Sequence, residues 1–203
     1  RRDVVAFLEQ HPLRVRILPA LTDIAAGRHL VNMVREVDIG DLLGRDPVGA
    51  DQGLLDRCIK GKVVLITGAG GSIGSELCLQ IVALSPRRMI LLEVSEHALY
   101  QIDRSLRAIG DCEIVPCLGS VGDAALVPQL LEQWRVQTIY HAAAYKHVPL
   151  VEANPLEGVR NNILGTLNLA HAAYAAGVQT FVLISTDKAV RPTNVMGASK
   201  RWA

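Results

Sequence analysis

The sequence lacks an excess of either charge and lacks long apolar runs. Its 21 Lys and Arg residues stand against 20 Asp and Glu residues, giving a formal net charge of +1, and the basic residues are scattered. A nucleic-acid-binding surface requires a basic patch, so we expect no nucleic-acid partner. No apolar run approaches the ~18 to 20 residues that span a bilayer, and the Arg1–Asp3 segment lacks the apolar stretch of a signal peptide. These absences are typical of a cytosolic chain.

Cysteines and aromatic residues are also few. Cys58, Cys78, Cys112 and Cys117 show no CxxC spacing and no flanking histidine pair, which argues against a zinc site or a disulfide framework and suits a reducing compartment. We therefore expect no metal site. Aromatic residues make up only 4%, but 50% of the 203 residues are apolar and 17 are glycine. The chain can bury a substantial core, although it is small for two complete domains.

Strand and helix patterns alternate in regular order from residue 62 to residue 203. Apolar, β-branched segments predict buried parallel strands, and segments with helical spacing of their apolar residues lie between them. This alternation predicts an α/β fold, a Rossmann-type doubly wound parallel sheet that is truncated at its C-terminus. The predicted strands are Val63–Ile66, Met89–Leu92, Glu113–Cys117, Thr138–Ala142 and Phe181–Ile184.

Two of the predicted helices carry clear end signals. Asp123 is the predicted N-cap of a helix that reaches Trp134. Asn154 is the predicted N-cap of the next helix, with Pro155 at its first position and Gly177 just past its end.

The N-terminal part of the chain has a different pattern. Residues 1–43 suggest a short helix, a strand at Val15–Leu18 and a mixed polar and apolar stretch, and they are too few to fold alone. Residues 44–61, which contain Pro47 and several glycines, are predicted to be a linker. Residues 62–203 then form the dinucleotide-binding domain. Because the chain starts without methionine and stops inside a predicted helix, we interpret it as part of a longer protein.

A glycine-rich turn joins the first predicted strand to the helix that follows it. The segment Thr67–Gly74 reads TGAGGSIG, with glycines at three-residue spacing. Such a turn lets backbone amides approach a pyrophosphate at a helix N-terminus, whose partial positive charge favours the anion. The turn therefore predicts dinucleotide binding. Its candidate cofactor-binding residues are Gly68, Gly70, Gly71, Ser72, Ile73 and Gly74.

Glu93 lies nineteen residues beyond Gly74, at the end of the second predicted strand. A carboxylate in this position accepts hydrogen bonds from a ribose diol and repels a 2′-phosphate. NAD is therefore the preferred cofactor, while Arg87 and Arg88 nearby leave NADP open.

Several segments form a recognisable set between residues 62 and 203. They are Thr67–Gly74, Gly119–Asp123, His141–Pro149, Asn162–Thr166, Ser185–Val190 and Met196–Lys200. Together they resemble the extended short-chain dehydrogenase/reductases and, within them, the polysaccharide-biosynthesis nucleotide-sugar dehydratases typified by UDP-N-acetylglucosamine 4,6-dehydratases. Residues 1–43 resemble the tail of a second nucleotide-binding-like domain, which precedes the dehydratase domain in the large, membrane-anchored members.

The resemblance implies cofactor contacts along the whole cleft. Ser120 stands where an aspartate is common in the family, which puts a contact to the adenine amino group in doubt. The implied contacts are Gly71, Ser72 and Ile73 to the pyrophosphate, Ser120 and Val121 to the adenine, Ala142 and Lys146 towards the nicotinamide, and Lys200 to the nicotinamide ribose.

The resemblance also implies a reaction: hydride leaves C4 of the sugar for NAD⁺, water is lost across C5 and C6, and hydride returns to C6. The elimination requires a base near C5 and an acid near the C6 hydroxyl. Asp187 would be the acid, Lys188 the base, and Thr186 would bond the C4 oxygen. A lysine acts as a base only if its pKa is lowered. Burial and the neighbouring Lys200 would lower the pKa of Lys188, while Asp187 opposes that shift.

Met196 stands four residues before Lys200, where the superfamily's active-site motif has tyrosine, as in the large membrane-bound subgroup. Methionine cannot take a proton, so another base must serve the oxidation at C4. The candidates, between which the sequence does not choose, are Tyr145, Lys188 and a water held by Thr186. We interpret His141 and His147 as structural residues.

Three functions stay open from the sequence. The first is a nucleotide-sugar 4,6-dehydratase of capsular or surface polysaccharide synthesis that acts on a UDP-sugar, with UDP-N-acetylglucosamine as the expected substrate. The second is a nucleotide-sugar 4-epimerase, which needs no acid at C6, so Asp187 and Lys188 favour the dehydratase. The third is a non-catalytic NAD-binding regulatory module, supported by Met196.

The resemblance has consequences for the whole protein as well. We expect a homo-oligomer that is anchored to the bacterial inner membrane and acts on its cytoplasmic face. We expect the present chain alone to be soluble and inactive, because half of the sugar pocket would be missing.

Overall fold

The computed structural model describes two short stretches and nearly all of the chain from residue 49 onwards. The chain divides into two compact units, Arg1–Ala50 and Asp51–Ala203. The described residues are 16–17, 35–36, 49–109 and 111–203.

The first unit contains one described pair of strands. Strand β1 (Arg16–Ile17) pairs antiparallel with strand β2 (Arg35–Glu36). Strand β1 falls inside the predicted strand Val15–Leu18. The other expectations for residues 1–43, and for residues 44–48 of the predicted linker, lie outside the described residues.

The second half of the predicted linker folds as helix α1 (Gln52–Ile59). Oδ1 of Asp51 accepts a hydrogen bond from the Leu54 amide at 2.9 Å and so caps the helix. Ile59 is 1% exposed and belongs to the hydrophobic core. A regular helix therefore occupies this stretch, because an aspartate cap and a buried apolar residue outweigh the helix-breaking tendency of Gly53.

A five-stranded parallel sheet forms the centre of the second unit. Its strands are β3 (Val63–Thr67), β4 (Arg88–Glu93), β5 (Glu113–Leu118), β6 (Thr138–His141) and β7 (Thr180–Leu183). They lie in the order β5-β4-β3-β6-β7, so the winding of the chain reverses between β3 and β6. This arrangement confirms the predicted Rossmann-type sheet. Ligands of such sheets bind beyond the carboxyl ends of the strands, at the point of reversal.

Helices cover both faces of this sheet. The α-helices are α2 (Ser72–Val82), α3 (Glu96–Arg107), α4 (Leu126–Trp134), α5 (Val148–Ala153), α6 (Pro155–Gly158), α7 (Gly165–Ala175) and α8 (Val195–Trp202). A π-helical segment, Val159–Leu164, lies between α6 and α7, and a 3₁₀ turn, Asp187–Ala189, follows β7.

Alternate residues of each strand build two hydrophobic cores. On one face, Val64 and Ile66 of β3 pack in a cluster with residues of α1, α2 and α3. On the other face, Val63 and Leu65 pack in a cluster with residues of α4 and α7. All five residues of β3 are buried, which explains why its sequence is apolar without alternation.

The helix predicted after Asn154 starts at Pro155, follows a separate short helix, α5, and is interrupted by the π-helical segment. The Asn154 side chain accepts no capping hydrogen bond; its Nδ2 donates to the Leu150 carbonyl at 3.0 Å. Asn154 therefore occupies the predicted N-cap position and Pro155 is the first helical residue, but the Asn154 side chain bonds back to α5 and does not cap α6. Gly177 has a φ of +66° and follows the end of α7, as predicted.

Asp123 acts on α4 from just outside the helix. Its Oδ1 accepts hydrogen bonds from the Ala125 and Leu126 amides, both at 2.9 Å. The helix itself begins at Leu126, three residues later than predicted.

Candidate functional site

The glycine-rich turn lies at the carboxyl end of the central strand β3. Gly68 has a φ of +65°, and a Cβ built on it would lie 2.7 Å from the Ala143 backbone. A Cβ on Gly74 would lie 1.9 Å from the Gly68 carbonyl oxygen. Both positions therefore require glycine, one for its conformation and the other for the close approach of helix α2 to the turn.

The N-terminus of α2 faces this turn. Gly71 is its N-cap and offers no side chain to the first amides of the helix, and the first turn contains no acidic residue. Free amides at a helix N-terminus together with the helix dipole favour an anion. Ser72 and Ile73 in this turn are exposed, and Nζ of Lys146 donates to Oγ of Ser72 at 3.2 Å. A cation from the loop after β6 thus lies beside the predicted pyrophosphate position.

A cavity of about 230 Å³ opens beside the turn, beyond the carboxyl ends of β3, β4, β5 and β6. Most of the predicted cofactor residues line it, although they come from four different strand ends. Those lining it are Gly68, Gly70, Gly71, Glu93, Ser120, Val121 and Ala142, joined by Leu92, Val94, Ala98, Gly119, Ala143, Ala144, Tyr145 and Asn161. The predicted set is therefore largely brought together by the fold.

Glu93 has a second role that its sequence position did not reveal. Its side chain is mostly buried, and Oε2 accepts a hydrogen bond from the Gly70 amide at 3.0 Å. Oε1 accepts from the amides of Val94 and Ser95 at 2.9 Å and 3.0 Å. A carboxylate has about four acceptor positions, so it can hold the turn and still accept from a ribose hydroxyl.

Ser120 and Val121 form the opposite wall of the cavity. Oγ of Ser120 accepts from the Gly122 amide at 3.1 Å, so this side chain folds back on its own turn. Val121 is buried, and its carbonyl accepts from Nδ2 of Asn168 at 2.7 Å. This wall is apolar and braced from behind by α7, which suits a flat base.

A second cavity of about 430 Å³ adjoins the first. Ala144 and Tyr145 line both cavities and form the wall between them. The remaining lining residues are Lys146, His147, Leu150, Val151, Asn154, Glu157 and Gly158. The second cavity therefore starts where the nicotinamide end of a dinucleotide is expected.

The Thr186–Lys188 turn follows β7, as predicted, but it is open to solvent. Oγ1 of Thr186 donates to Oδ1 of Asp187 at 3.0 Å and accepts from the Lys188 amide at 3.3 Å. Asp187 and Lys188 are exposed, and neither cavity described above includes them. The burial expected for Lys188 is therefore not found.

Helix α8 packs directly on this turn. A Cβ on Gly197 would lie 2.4 Å from the Lys188 carbonyl oxygen, which shows how closely the two approach. Met196 and Lys200 of this helix are 2% and 7% exposed. Burial lowers the pKa of Lys200.

A buried polar network, which the sequence did not predict, lies behind the cavity wall. His141 is fully buried, with Nδ1 2.6 Å from Oγ1 of Thr67 and Nε2 2.8 Å from Oγ1 of Thr166. Burial and the nearby Lys200 charge lower the pKa of His141 to about 4, so the ring is neutral at pH 7. The sequence does place Thr67 at the end of β3 and Thr166 at the start of α7. Which histidine these threonines bond, however, depends on the fold.

Residues 64–203 match the family described as polysaccharide biosynthesis protein. The chain belongs to the polysaccharide biosynthesis protein family. A member from Staphylococcus aureus, the capsular polysaccharide biosynthesis protein CapD, is 46% identical over 188 residues, which are 92% of this chain and 31% of CapD. An inverting UDP-N-acetylglucosamine 4,6-dehydratase from Campylobacter jejuni is 34% identical over 142 residues, 68% of this chain and 40% of that enzyme.

The similarity extends to epimerases and to solved structures. A UDP-glucose 4-epimerase from Rickettsia canadensis is 32% identical over 68% of this chain and 40% of that protein. The dTDP-glucose 4,6-dehydratase DesIV from Streptomyces venezuelae, solved with NAD and TYD bound, is 27% identical with a TM-score of 0.59, over 69% of this chain and 48% of DesIV. This chain of the polysaccharide biosynthesis protein family thus spans about a third of CapD and under half of these other relatives.

Proposed function

We propose that this chain is the cofactor-binding part of a nucleotide-sugar 4,6-dehydratase of capsular or surface polysaccharide synthesis, with UDP-N-acetylglucosamine as substrate. The observation that carries the proposal is the position of the Thr186–Lys188 turn. The Thr186–Lys188 turn packs against helix α8, which contains Lys200. The same sheet carries the glycine-rich turn that suits a dinucleotide. The likeness to CapD and to the Campylobacter dehydratase supports the same function.

The residues present fit NAD. Gly68 and Gly74 let the turn and helix α2 pack closely at the end of β3, α2 presents amides without a side-chain cap, and Val121 lines the cavity. The Glu93 carboxylate at the cavity favours a ribose diol over a 2′-phosphate. Bound NAD would supply the hydride acceptor for C4 and the hydride donor for C6.

Side chains of this chain then act as the acid and the base of the elimination. At C4, Thr186 bonds the oxygen, and its proton leaves to Tyr145, Lys188 or a water held by Thr186. Asp187 protonates the departing C6 hydroxyl, and Lys188 removes the C5 proton and returns a proton to C5 when hydride adds to C6. The 3.0 Å hydrogen bond from Thr186 to Asp187 supports this assignment, because it holds the two side chains side by side at one strand end. Bound substrate would have to exclude water from this exposed pair for Lys188 to act as a base. Lys200, buried one helix turn from Met196, is assigned to the nicotinamide ribose.

The test is an NMR assay of the full-length protein with UDP-N-acetylglucosamine and catalytic NAD⁺. A C6 methyl doublet without accumulation of NADH supports the dehydratase. An unchanged spectrum in the presence of bound NAD contradicts it and favours either another sugar or the non-catalytic NAD-binding module.

A nucleotide-sugar 4-epimerase is the second candidate, because a UDP-glucose 4-epimerase is among the similar proteins. An epimerase returns hydride to C4 and needs neither an acid at C6 nor a base at C5. Accumulation of the C4 epimer without a C6 methyl signal would establish this alternative.

Assembly and location of the full-length protein belong to the same proposal. We propose a homo-oligomer anchored at the cytoplasmic face of the inner membrane. Within residues 49–109 and 111–203, no helix is long and apolar enough to cross a bilayer. Membrane fractionation and light scattering of the full-length protein test these two expectations.

A further inference from the structure

Behind the wall that separates the two cavities, hydrogen bonds form a closed ring. The Ala143 amide donates to Oγ1 of Thr67 at 3.3 Å, and Oγ1 of Thr67 contacts Nδ1 of His141 at 2.6 Å. Nε2 of His141 contacts Oγ1 of Thr166 at 2.8 Å, and Thr166 donates to the Asn162 carbonyl at 2.7 Å. The ring therefore runs from the wall, through the ends of β3 and β6, to the π-helical segment.

The Asn162 side chain closes the ring on the wall. Its Oδ1 accepts from the Tyr145 amide at 2.8 Å, and its Nδ2 donates to the Tyr145 carbonyl at 3.0 Å. The same Nδ2 lies 2.9 Å from Oγ of Ser199, the residue before Lys200. Asn162 is fully buried and Ser199 is 2% exposed, so water does not compete for these bonds.

The hydrogen positions in the ring follow from its chemistry. Thr166 uses its only hydroxyl hydrogen on the Asn162 carbonyl, so Nε2 of His141 must donate to Thr166. A neutral imidazole then has its hydrogen-bond acceptor at Nδ1. The Thr67 hydroxyl donates to this nitrogen, and the Thr67 oxygen accepts from the Ala143 amide. Every donor meets an acceptor only in this one arrangement.

We propose that His141 is a positioning residue: through Thr67 and Thr166 it holds the backbone of Ala142–Tyr145 against the π-helical segment, and so sets the wall between the cofactor cavity and its neighbour. Ala143 and Tyr145 of this segment are held by the ring, and all four residues of the segment line the cofactor cavity. Any effect of this wall on catalysis rests on the proposed function. In its effect on NAD binding and backbone order the proposal requires only that the cavity take NAD.

The test compares Thr166→Val with Thr166→Ser in the full-length protein. Valine has nearly the volume of threonine but cannot bond His141 or Asn162, whereas serine keeps the hydroxyl. We expect Thr166→Val to weaken NAD binding about tenfold, the equivalent of ~1.4 kcal/mol, and to speed hydrogen exchange in the peptide containing residues 143–145. We expect Thr166→Ser to keep both the NAD affinity and the hydrogen exchange of residues 143–145 close to those of the wild type.

Thr138→Val is the matched control. Thr138 is fully buried in the same strand as His141, and its hydroxyl donates to the Cys58 carbonyl at 2.5 Å, at the opposite end of the sheet. This variant should lose comparable stability while NAD affinity and exchange at 143–145 stay unchanged. If both valine variants weaken NAD binding equally, the effect is general destabilisation and the proposal fails.

An ¹⁵N NMR measurement on wild-type protein tests the ring without any variant. We expect the His141 ring to show the neutral form with hydrogen on Nε2 at pH 7. Hydrogen on Nδ1, or NAD affinity unaffected by Thr166→Val, would overturn the proposal. A different result would contradict only the proposed function: NAD binds, His141 and Thr166→Val behave as expected, and the wild-type protein forms no 4-keto sugar. The positioning role of His141 would then stand.

Discussion

The glycine-rich end of the cleft and the Thr186–Lys188 end are built in different ways. At the glycine end, the turn is held by the mostly buried Glu93 carboxylate, and Gly74 lies under the turn with no space to spare. At the other end, Asp187 and Lys188 are exposed, although Met196 and Lys200 of the helix packed against them are buried. In the proposed function, cofactor binding would thus rest on a rigid backbone, whereas Asp187 and Lys188 would rely on the bound substrate to exclude water.

The largest expected effect comes from filling the space under the glycine turn. Gly74→Ala places a Cβ 1.9 Å from the Gly68 carbonyl, where only backbone can give way. We expect a loss of about 3 to 4 kcal/mol in the free energy of unfolding and no measurable NAD binding. Urea denaturation and calorimetric titration measure both.

Gly53→Ala is the control for that variant. Its Cβ would lie 3.4 Å from Oδ1 of Asp51, an ordinary contact on an exposed helix. We expect unchanged NAD binding and stability that is equal or slightly higher. An equal loss of NAD binding in both alanine variants would show that the glycine end is not rigid.

Lys188→Ala and Asp187→Asn test the exposed end. We expect either change to lower kcat of the full-length enzyme by about 10² to 10⁴, the usual contribution of one general acid or base, with NAD affinity unchanged. Product formation is followed by NMR, with the exposed Lys60→Ala as control. Undiminished 4-keto-6-deoxy product from either variant would remove that residue from the mechanism.

Acid should weaken the fold through His141. The unfolded chain protonates this histidine near pH 6.5, whereas burial and Lys200 lower its folded pKa to about 4. Stability is therefore present in full above pH 6.5 and falls as the pH drops towards 4, by about 3 kcal/mol in total. Urea denaturation between pH 7 and pH 4.5 measures the slope, which should be smaller in His141→Gln and unchanged in the exposed His171→Gln.

The smallest expected effect is at Glu93. Glu93→Gln keeps one acceptor oxygen but turns an NH₂ group towards one of its amide donors. We expect NAD affinity to fall about tenfold and NADP affinity to fall less, because the charge that repels a 2′-phosphate is gone. Titration with both cofactors measures the ratio, and an unchanged ratio would show that Glu93 only braces the turn.

The strands and the glycine turn were predictable because their causes are local. An apolar, β-branched run followed by TGAGGSIG specifies a buried strand, a tight turn and a helix within a dozen residues. Helix ends were less predictable. The sequence around Asn154 is typical of a helix N-cap, but the Asn154 side chain donates to the Leu150 carbonyl of α5 and does not cap the next helix.

Sequence was thus enough to establish the order of the strands, the glycine-rich turn and the family of this chain, since each depends on short segments or on matched motifs. Folding decided which of the two lysines, Lys188 or Lys200, is buried. It also decided which partners His141 has, since Thr67 lies 74 residues before it and Thr166 lies 25 after it. Burial and hydrogen-bond pairing are properties of neighbours in space, and residues this far apart become neighbours only when the sheet forms.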